Sequence, residues 1–381
     1  MPMRDFKRLP HPIERLVIKI GSSLLTKEGR IHRASVARFV DLIARLREKG
    51  CQTALVTSGA VASARHLLPV GAAPTLAQKQ ALASVGQVHL MELYRKEFEK
   101  RGHKVGQVLL SEYLLKHRPS WLNARTTLTA LFDLGVIPVI NENDVMSVEE
   151  LKFDSNDALG AVVCGLMDAD LYIILSDVDG LFRRFGTPEQ SLIETVRGVD
   201  ASVEKEAGLS RSAVGTGGMA SKVSAARRAG RFSVPTLIAN GRTKTLWEDL
   251  FARGRGTLFY PPDWTDGVSP EHRQANRKKA WLASTIHPSG KLFVDGGAVS
   301  ALLERHSSLL PSGVLRVEGN FHGGDVVAIC AEDGRELARG VSAYASYEIR
   351  KIQGHKTSEI PALLGYRNAD EVVHRDNLMV L

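Results

Sequence analysis

Residues 216–222 read Thr216-Gly217-Gly218-Met219-Ala220-Ser221-Lys222, and the chain continues Val223-Ser224-Ala225-Ala226-Arg227-Arg228. Two adjacent glycines let backbone N–H groups approach a ligand closely, because no Cβ stands in the way. Thr216 and Ser221 add hydroxyls, and Lys222 adds a mobile positive charge. Val223 to Arg228 reads as the first turns of a helix. A glycine turn that opens into a helix N-terminus is an anion site. A Gly-rich turn before an ordinary helix has the same local sequence, so the flanking chain decides between the two.

Outward from this stretch, short apolar runs alternate with longer helical patterns. Leu16 to Ile20, Thr53 to Thr57, Val105 to Leu110, Val136 to Ile140, Leu171 to Leu175 and Val234 to Ala239 read as strands. Val36 to Lys49, Leu76 to Lys100, Asn123 to Leu134 and Asp157 to Met167 read as helices. That alternation predicts right-handed βαβ units and a mainly parallel α/β sheet. Such sheets bind ligands beyond the carboxyl ends of their strands. From about Lys291 the texture changes to short β-rich pieces separated by Gly and Asp turns, which suggests a small β-barrel with one or two helices. Three parts are expected: 1–262, a linker over 263–289 containing Pro261-Pro262-Asp263 at its border, and 290–381.

The 381 residues are 44% hydrophobic, ordinary for a globular protein with real cores. No apolar run approaches the roughly 18 residues of a membrane span. Met1 to Pro12 is polar and has no apolar stretch, so no secretory signal is expected and the cytoplasm is the expected compartment. Cys51, Cys164 and Cys330 are widely spaced with no CxxC, which predicts buried thiols rather than disulfides or metal ligands. The net charge is +8: residues 1–262 hold 36 Lys/Arg and 27 Asp/Glu, and residues 263–381 hold 14 and 15. The basic part is the part with the glycine stretch, which fits an anionic substrate such as a nucleotide. A basic surface also suits nucleic acid.

Polar clusters follow the strands. Lys19 sits inside Val17-Ile18-Lys19-Ile20-Gly21-Ser22-Ser23, and a lysine in an apolar strand is costly to bury without an anionic partner. Its Gly-Ser-Ser turn makes a second phosphate cradle, or Lys19 reaches solvent from the strand end. No Walker A pattern occurs. Ser58-Gly59-Ala60 offers a hydroxyl to a carboxylate, or caps a helix. Asn141-Glu142-Asn143-Asp144 has more polar groups than a turn requires: Asp144 suits an ammonium group and the amides a carboxylate. The competing reading is a solvated Asx turn. Asp154-Ser155-Asn156-Asp157 opens a helix, with one aspartate free to organise cations. Ser176-Asp177-Val178-Asp179-Gly180 can grip a nucleotide, hold Mg²⁺, or simply turn. Two lysines on glycine loops beside acidic strand ends suit phosphoryl transfer.

In order, VIKIGSSLL, VTSGAVA, INENDVMS, ILSDVDGLF and GTGGMASK, followed by a small β-rich tail, resemble the glutamate 5-kinases of the amino-acid kinase family. The resemblance runs from about Arg15 to the C-terminus. It implies a mainly parallel sheet sandwiched by helices and a C-terminal PUA domain, a β-barrel-like module also found in RNA-modifying enzymes. It implies transfer of phosphate from ATP to L-glutamate, the first step of proline synthesis, with Mg²⁺ carried mainly on the ATP phosphates rather than on a protein metal site. It also implies proline as feedback inhibitor, a homo-oligomer, and glutamyl phosphate reductase as pathway partner. By position, Lys19, Lys222 and Asp157 would be catalytic, and Ser58, Asp144 and Asn156 would bind glutamate. Lys19, Gly21, Ser22, Ser176, Asp177, Thr216, Gly217, Gly218, Met219, Ala220, Ser221 and Lys222 would bind ATP. Two departures stand out. Ser155 replaces an acid of the family's Gly-Asp-Asn-Asp, and Arg183-Arg184-Phe185-Gly186-Thr187-Pro188 replaces Tyr-Thr-Ala-Asp-Pro.

Another amino-acid kinase, acting on acetylglutamate or aspartate, is the second reading; the PUA-like tail and INEND argue against it. An RNA-binding protein is the third. Residues 290–381 hold 10 Lys/Arg and 12 Asp/Glu, whereas an RNA surface should be basic.

Overall fold

Near-continuous Val, Ile and Leu runs form strands that can be buried on both faces. Eight segments, the central ones of this kind, pair into one sheet: β1 Arg15–Ile20, β2 Gln52–Val56, β3 Val105–Leu110, β4 Ile137–Glu142, β5 Leu171–Ser176, β6 Thr195–Arg197, β7 Thr236–Asn240 and β8 Thr257–Tyr260. The computed structural model describes residues 6, 8–9, 12–71, 74–115, 118–146, 155–209, 218–262, 264, 288–305 and 307–381. The strand order is β6-β8-β7-β5-β1-β2-β4-β3. Every pairing is parallel except β7 with β8. The chain enters at β1, fills the sheet on one side with β2 to β4, then crosses to the other side with β5. This reversal makes the carboxyl ends of β1 and its neighbours a topological switch point.

Side chains alternate across β1. Leu16, Ile18 and Ile20 join a core with Val36, Phe39 and Ile43 of helix α1 (Arg33–Glu48) and Leu90, Tyr94 and Phe98 of helix α2 (Leu76–Glu99). Val17 and Lys19 face the other way, toward helix α3 (Asn156–Met167), which packs against β1 and against helix α4 (Met219–Gly230). All of α3 beyond Asn156 is buried. Two glycines allow its close approach: a Cβ on Gly160 would stand 2.1 Å from the Tyr172 hydroxyl, and one on Gly165 2.6 Å from the Phe232 ring. Asp157, in the first turn of this helix, is therefore carried into the interior.

The chain divides into two compact units, residues 1–114 with 124–273 and residues 115–123 with 274–381. In the second, a five-stranded sheet comprises β9 Gly290–Val294, β10 Val314–Gly319, β11 Val326–Ala331, β12 Glu336–Val341 and β13 Leu378–Val380, in the order β10-β9-β11-β12-β13. Only β9 with β11 is parallel. Leu292, Val327 and Ile329 pack there with Ile349, Ile352 and Ile360. The linker expected over 263–289 lies almost wholly outside the described residues. All three cysteines are buried free thiols.

Candidate active site

Four strands deliver their carboxyl ends to one cavity of about 390 Å³. Gly21, Ser22 and Ser23 come from the end of β1, Ser58 and Gly59 from β2, Asn141 and Asp144 from β4, and Ser176 and Asp177 from β5. Asn156 and Asp157 of α3 and Lys222 of α4 close its floor. Its size is that of a small-ligand site.

At the floor, Asp157 lies between two lysines. Lys19 Nζ is 2.5 Å from Asp157 Oδ1, and Lys222 Nζ is 3.6 Å from Oδ2. Asp157 is fully buried, and each lysine residue is only 6% exposed. The single Ser221 O–H has two acceptors within reach, Gly218 O at 2.9 Å and Asp157 Oδ2 at 3.3 Å. Burial pushes the Asp157 carboxyl up, but the ammonium groups of Lys19 and Lys222 more than reverse this and hold it below the usual range. Burial lowers Lys222, Asp157 opposes that, and repulsion from Lys19 adds to it; the net is an ammonium below the ordinary lysine value. One carboxylate thus holds two ammonium groups side by side, with less than full compensation, facing a cavity. That arrangement suits an incoming polyanion.

Gly218 stands at the start of α4 with φ −66° and ψ −178°, and no side chain caps it. The helix begins at Met219, earlier than the Val223 expected from sequence, with Gly218 in the extended conformation usual for an N-cap. Met219, Ala220 and Ser221 therefore form the first helical turn rather than a loop. The helix N-terminus points its N–H groups and positive dipole end outward.

Beside the lysines, amide side chains form a hydrogen-bonded network in the cavity lining. Asn156 Nδ2 has three acceptors within reach of its two N–H groups: Thr57 O (2.9 Å), Ser58 Oγ (2.7 Å) and Asn141 Oδ1 (3.1 Å). Asn141 Nδ2 donates in turn to Gln87 Oε1 of α2 at 2.9 Å. Ser58 is held where the chain leaves β2 by Gly59, whose φ of +104° is left-handed and disfavours other residues.

The structure brings Lys19, Gly21, Ser22, Ser58, Asp144, Asn156, Asp157, Ser176, Asp177 and Lys222 to one cavity. Ser221 and Gly218 sit behind Lys222. The Met219 side chain is buried, and Ala220 is exposed outside the cavity lining. Thr216, Gly217 and Asp154 lie outside the described residues. Ser155, the departure in the helix-opening segment, accepts from Ala158 N at 3.4 Å and caps α3. Arg183 and Arg184 lie on a short exposed hairpin, Phe182–Arg183 with Ser191–Leu192, where Arg184 pairs with Glu189 at 2.7 Å. Gly29, Val61, Ala62 and Arg65 also line the cavity and were not singled out from sequence. Asn141, by contrast, had a signal, as the first of the polar cluster at its strand end.

Residues 14–240 match the model of the amino acid kinase family, and residues 290–364 match the PUA domain. The chain is 46% identical over 374 residues to a glutamate 5-kinase of Geobacter sulfurreducens, covering 97% of this chain and 98% of that one. The chain belongs to the glutamate 5-kinases of the amino acid kinase family. A glutamate 5-kinase of Pelobacter propionicus is 45% identical over 380 residues, 98% of this chain and all of that one. Among solved structures the chain is similar to carbamate kinase from Giardia lamblia bound to AMP-PNP, with TM-score 0.47 and 15% identity over 65% of this chain and 98% of that one. Glutamate 5-kinase relatives thus align across both compact units and not the kinase part alone. Among the described residues, no helix is long and apolar enough to cross a membrane.

Proposed function

We propose that this chain transfers the γ-phosphoryl group of ATP to the side-chain carboxylate of L-glutamate, giving L-glutamyl 5-phosphate, the first step of proline biosynthesis. One observation carries the reading: Lys19 and Lys222 are paired on the buried Asp157 at the floor of a cavity built from strand carboxyl ends. The acceptor carboxylate is already ionised near pH 7, so the site has no need of a general base. What remains is positioning and charge stabilisation. Lys19 and Lys222 bear on the transferring phosphoryl group, and Asp157 keeps both ammonium groups aimed. Gly21, Ser22, Ser176, Asp177 and the N-terminal turn of α4 hold the nucleotide phosphates. Ser58, Asn156 and Asp144 hold glutamate, Asp144 through the α-ammonium group.

Mg²⁺ is the metal we propose, bound mainly by the ATP phosphates, where it would offset their charge. The hard oxygen donors of Asp177 and Ser176 fit its chemistry. On the resemblance of the whole chain we further propose inhibition by proline, self-association, a cytoplasmic setting, and delivery of the labile acyl phosphate to a reductase. The same resemblance supports domain borders at 262 and 290. RNA binding by the tail is disfavoured by its 12 acidic against 10 basic residues.

The test is a coupled assay of Mg·ATP turnover with L-glutamate, N-acetylglutamate and aspartate, each with and without proline. Turnover with glutamate alone is the expected result. Preference for either of the other acceptors refutes the reading.

A further inference from the structure

Glutamate brings three charges to the cavity: the reacting side-chain carboxylate, an α-ammonium group and an α-carboxylate. Among the described residues, three basic side chains line the cavity: Lys19, Lys222 and Arg65. The two lysines are committed to Asp157 at the phosphoryl-transfer end. Arg65 lies elsewhere. It follows the short helix Ala60–Ala64 that leaves the end of β2 after Gly59, and it shares the lining with Val61 and Ala62. The first turn of that helix, Ala60 to Ala62, meets the cavity, and Arg65 reaches the same lining from the residue after its last turn. The lining that includes Arg65 also includes Ser58, Asn141, Asp144 and Asn156, the groups placed on glutamate above.

Resting on that reading, we infer that Arg65 is a specificity-determining residue that recognises the α-carboxylate of the acceptor. Asp144 and Arg65 then form an acid–base pair of receptors matched to the ammonium and carboxylate of an α-amino acid. A guanidinium is suited to this because its planar fork meets both carboxylate oxygens. Arg65 Nη2 also donates to Gly71 O at 3.4 Å, so a purely structural role for the 65–71 turn is the competing account.

The two accounts separate with 4-aminobutyrate, which is glutamate without its α-carboxylate. The experiment compares full-length wild type with Arg65→Gln and Arg65→Lys, measuring KM for glutamate and for Mg·ATP and kcat/KM for both acceptors. Arg65→Gln is expected to raise the glutamate KM roughly 10- to 100-fold, the effect of losing a charge-assisted hydrogen bond. KM for Mg·ATP and kcat/KM for 4-aminobutyrate should stay near wild type. Arg65→Lys keeps the charge and should recover part of the loss. Equal loss with both acceptors, an unchanged glutamate KM, or equal loss in the Lys and Gln variants overturns the inference. If 4-aminobutyrate turnover is too slow to measure in wild type, the comparison of the Lys and Gln variants on glutamate decides alone. Absence of glutamate turnover in the wild type would instead overturn the functional reading itself.

Discussion

Replacing Asp157 by Asn keeps the shape of the side chain and removes the charge that holds two buried ammonium groups. With an effective dielectric constant of about 20, a unit charge pair at the Lys19 distance of 2.5 Å attracts by roughly 7 kcal/mol, and one at the Lys222 distance of 3.6 Å by roughly 5 kcal/mol. Desolvation of three charges consumes most of that sum, and breaking one partner of a buried pair typically costs about 3–5 kcal/mol. Both lysines keep a little solvent access, 6% each, through which they can relax. The lower figure, about 3 kcal/mol, is therefore expected. For a domain of this size it corresponds to roughly 6–12 °C in Tm.

The cause distinguishes this loss from ordinary packing damage. The variant removes the carboxylate that the two ammonium groups share, so a triphosphate should replace the missing charge. Differential scanning fluorimetry with and without Mg·ATP reads this directly. The Tm gap between Asp157→Asn and wild type should be large in the free protein and shrink under saturating Mg·ATP. In a coupled assay kcat should fall on the order of a hundredfold, because the ammonium groups lose their aim. A gap of less than about 2 °C, or one that Mg·ATP leaves unchanged, would refute the argument that Asp157 acts by holding the two lysines.

Three other perturbations follow from the same geometry. Lys222→Ala should lower kcat on the order of a hundredfold or more by removing a charge stabiliser, and near-normal kcat in the coupled assay would rule this lysine out of the chemistry. Because Lys222 sits below the ordinary lysine value, kcat/KM for Mg·ATP should fall at alkaline pH through a midpoint below 10.5. Bound phosphates favour the ammonium form, so the matching limb in kcat should lie higher; a pH–rate profile with the limbs in reverse order contradicts this. The stability effects have opposite windows. The depressed Asp157 carboxyl contributes stability above its unfolded value that is lost as pH falls through its folded one, while the depressed Lys222 gives a cost at neutral pH that is relieved as pH rises through its folded value. Gly86→Ala would put a Cβ 1.7 Å from Ala60 O and drive α2 away from the helix that carries Val61 and Ala62. Overpacking of this kind costs about 1–3 kcal/mol, and the glutamate KM should rise more than the KM for Mg·ATP; a normal thermal melt with unchanged kinetics would show that the helices separate freely.

What could be read from sequence was where a residue's chemistry conflicts with its surroundings. Lys19 stands in an apolar strand and Asp157 at the head of an apolar helix, and each conflict signals a partner; the fold resolves both by pairing them. The central strands were equally plain, because burial on both faces leaves unbroken Val, Ile and Leu runs. β6 and β8 were not, since three- and four-residue strands at the sheet's margin carry too few side chains to show a period. Arg65 was silent for a different reason. An arginine after a five-residue helix is locally ordinary, and nothing near it in sequence predicts that it lines a cavity. Its placement depends on the left-handed turn at Gly59 and on Gly86, far along the chain, lacking the side chain that would collide with Ala60. Residues whose position is set by such distant backbone packing leave no local trace, because the contacts that place them belong to segments a local reading never compares.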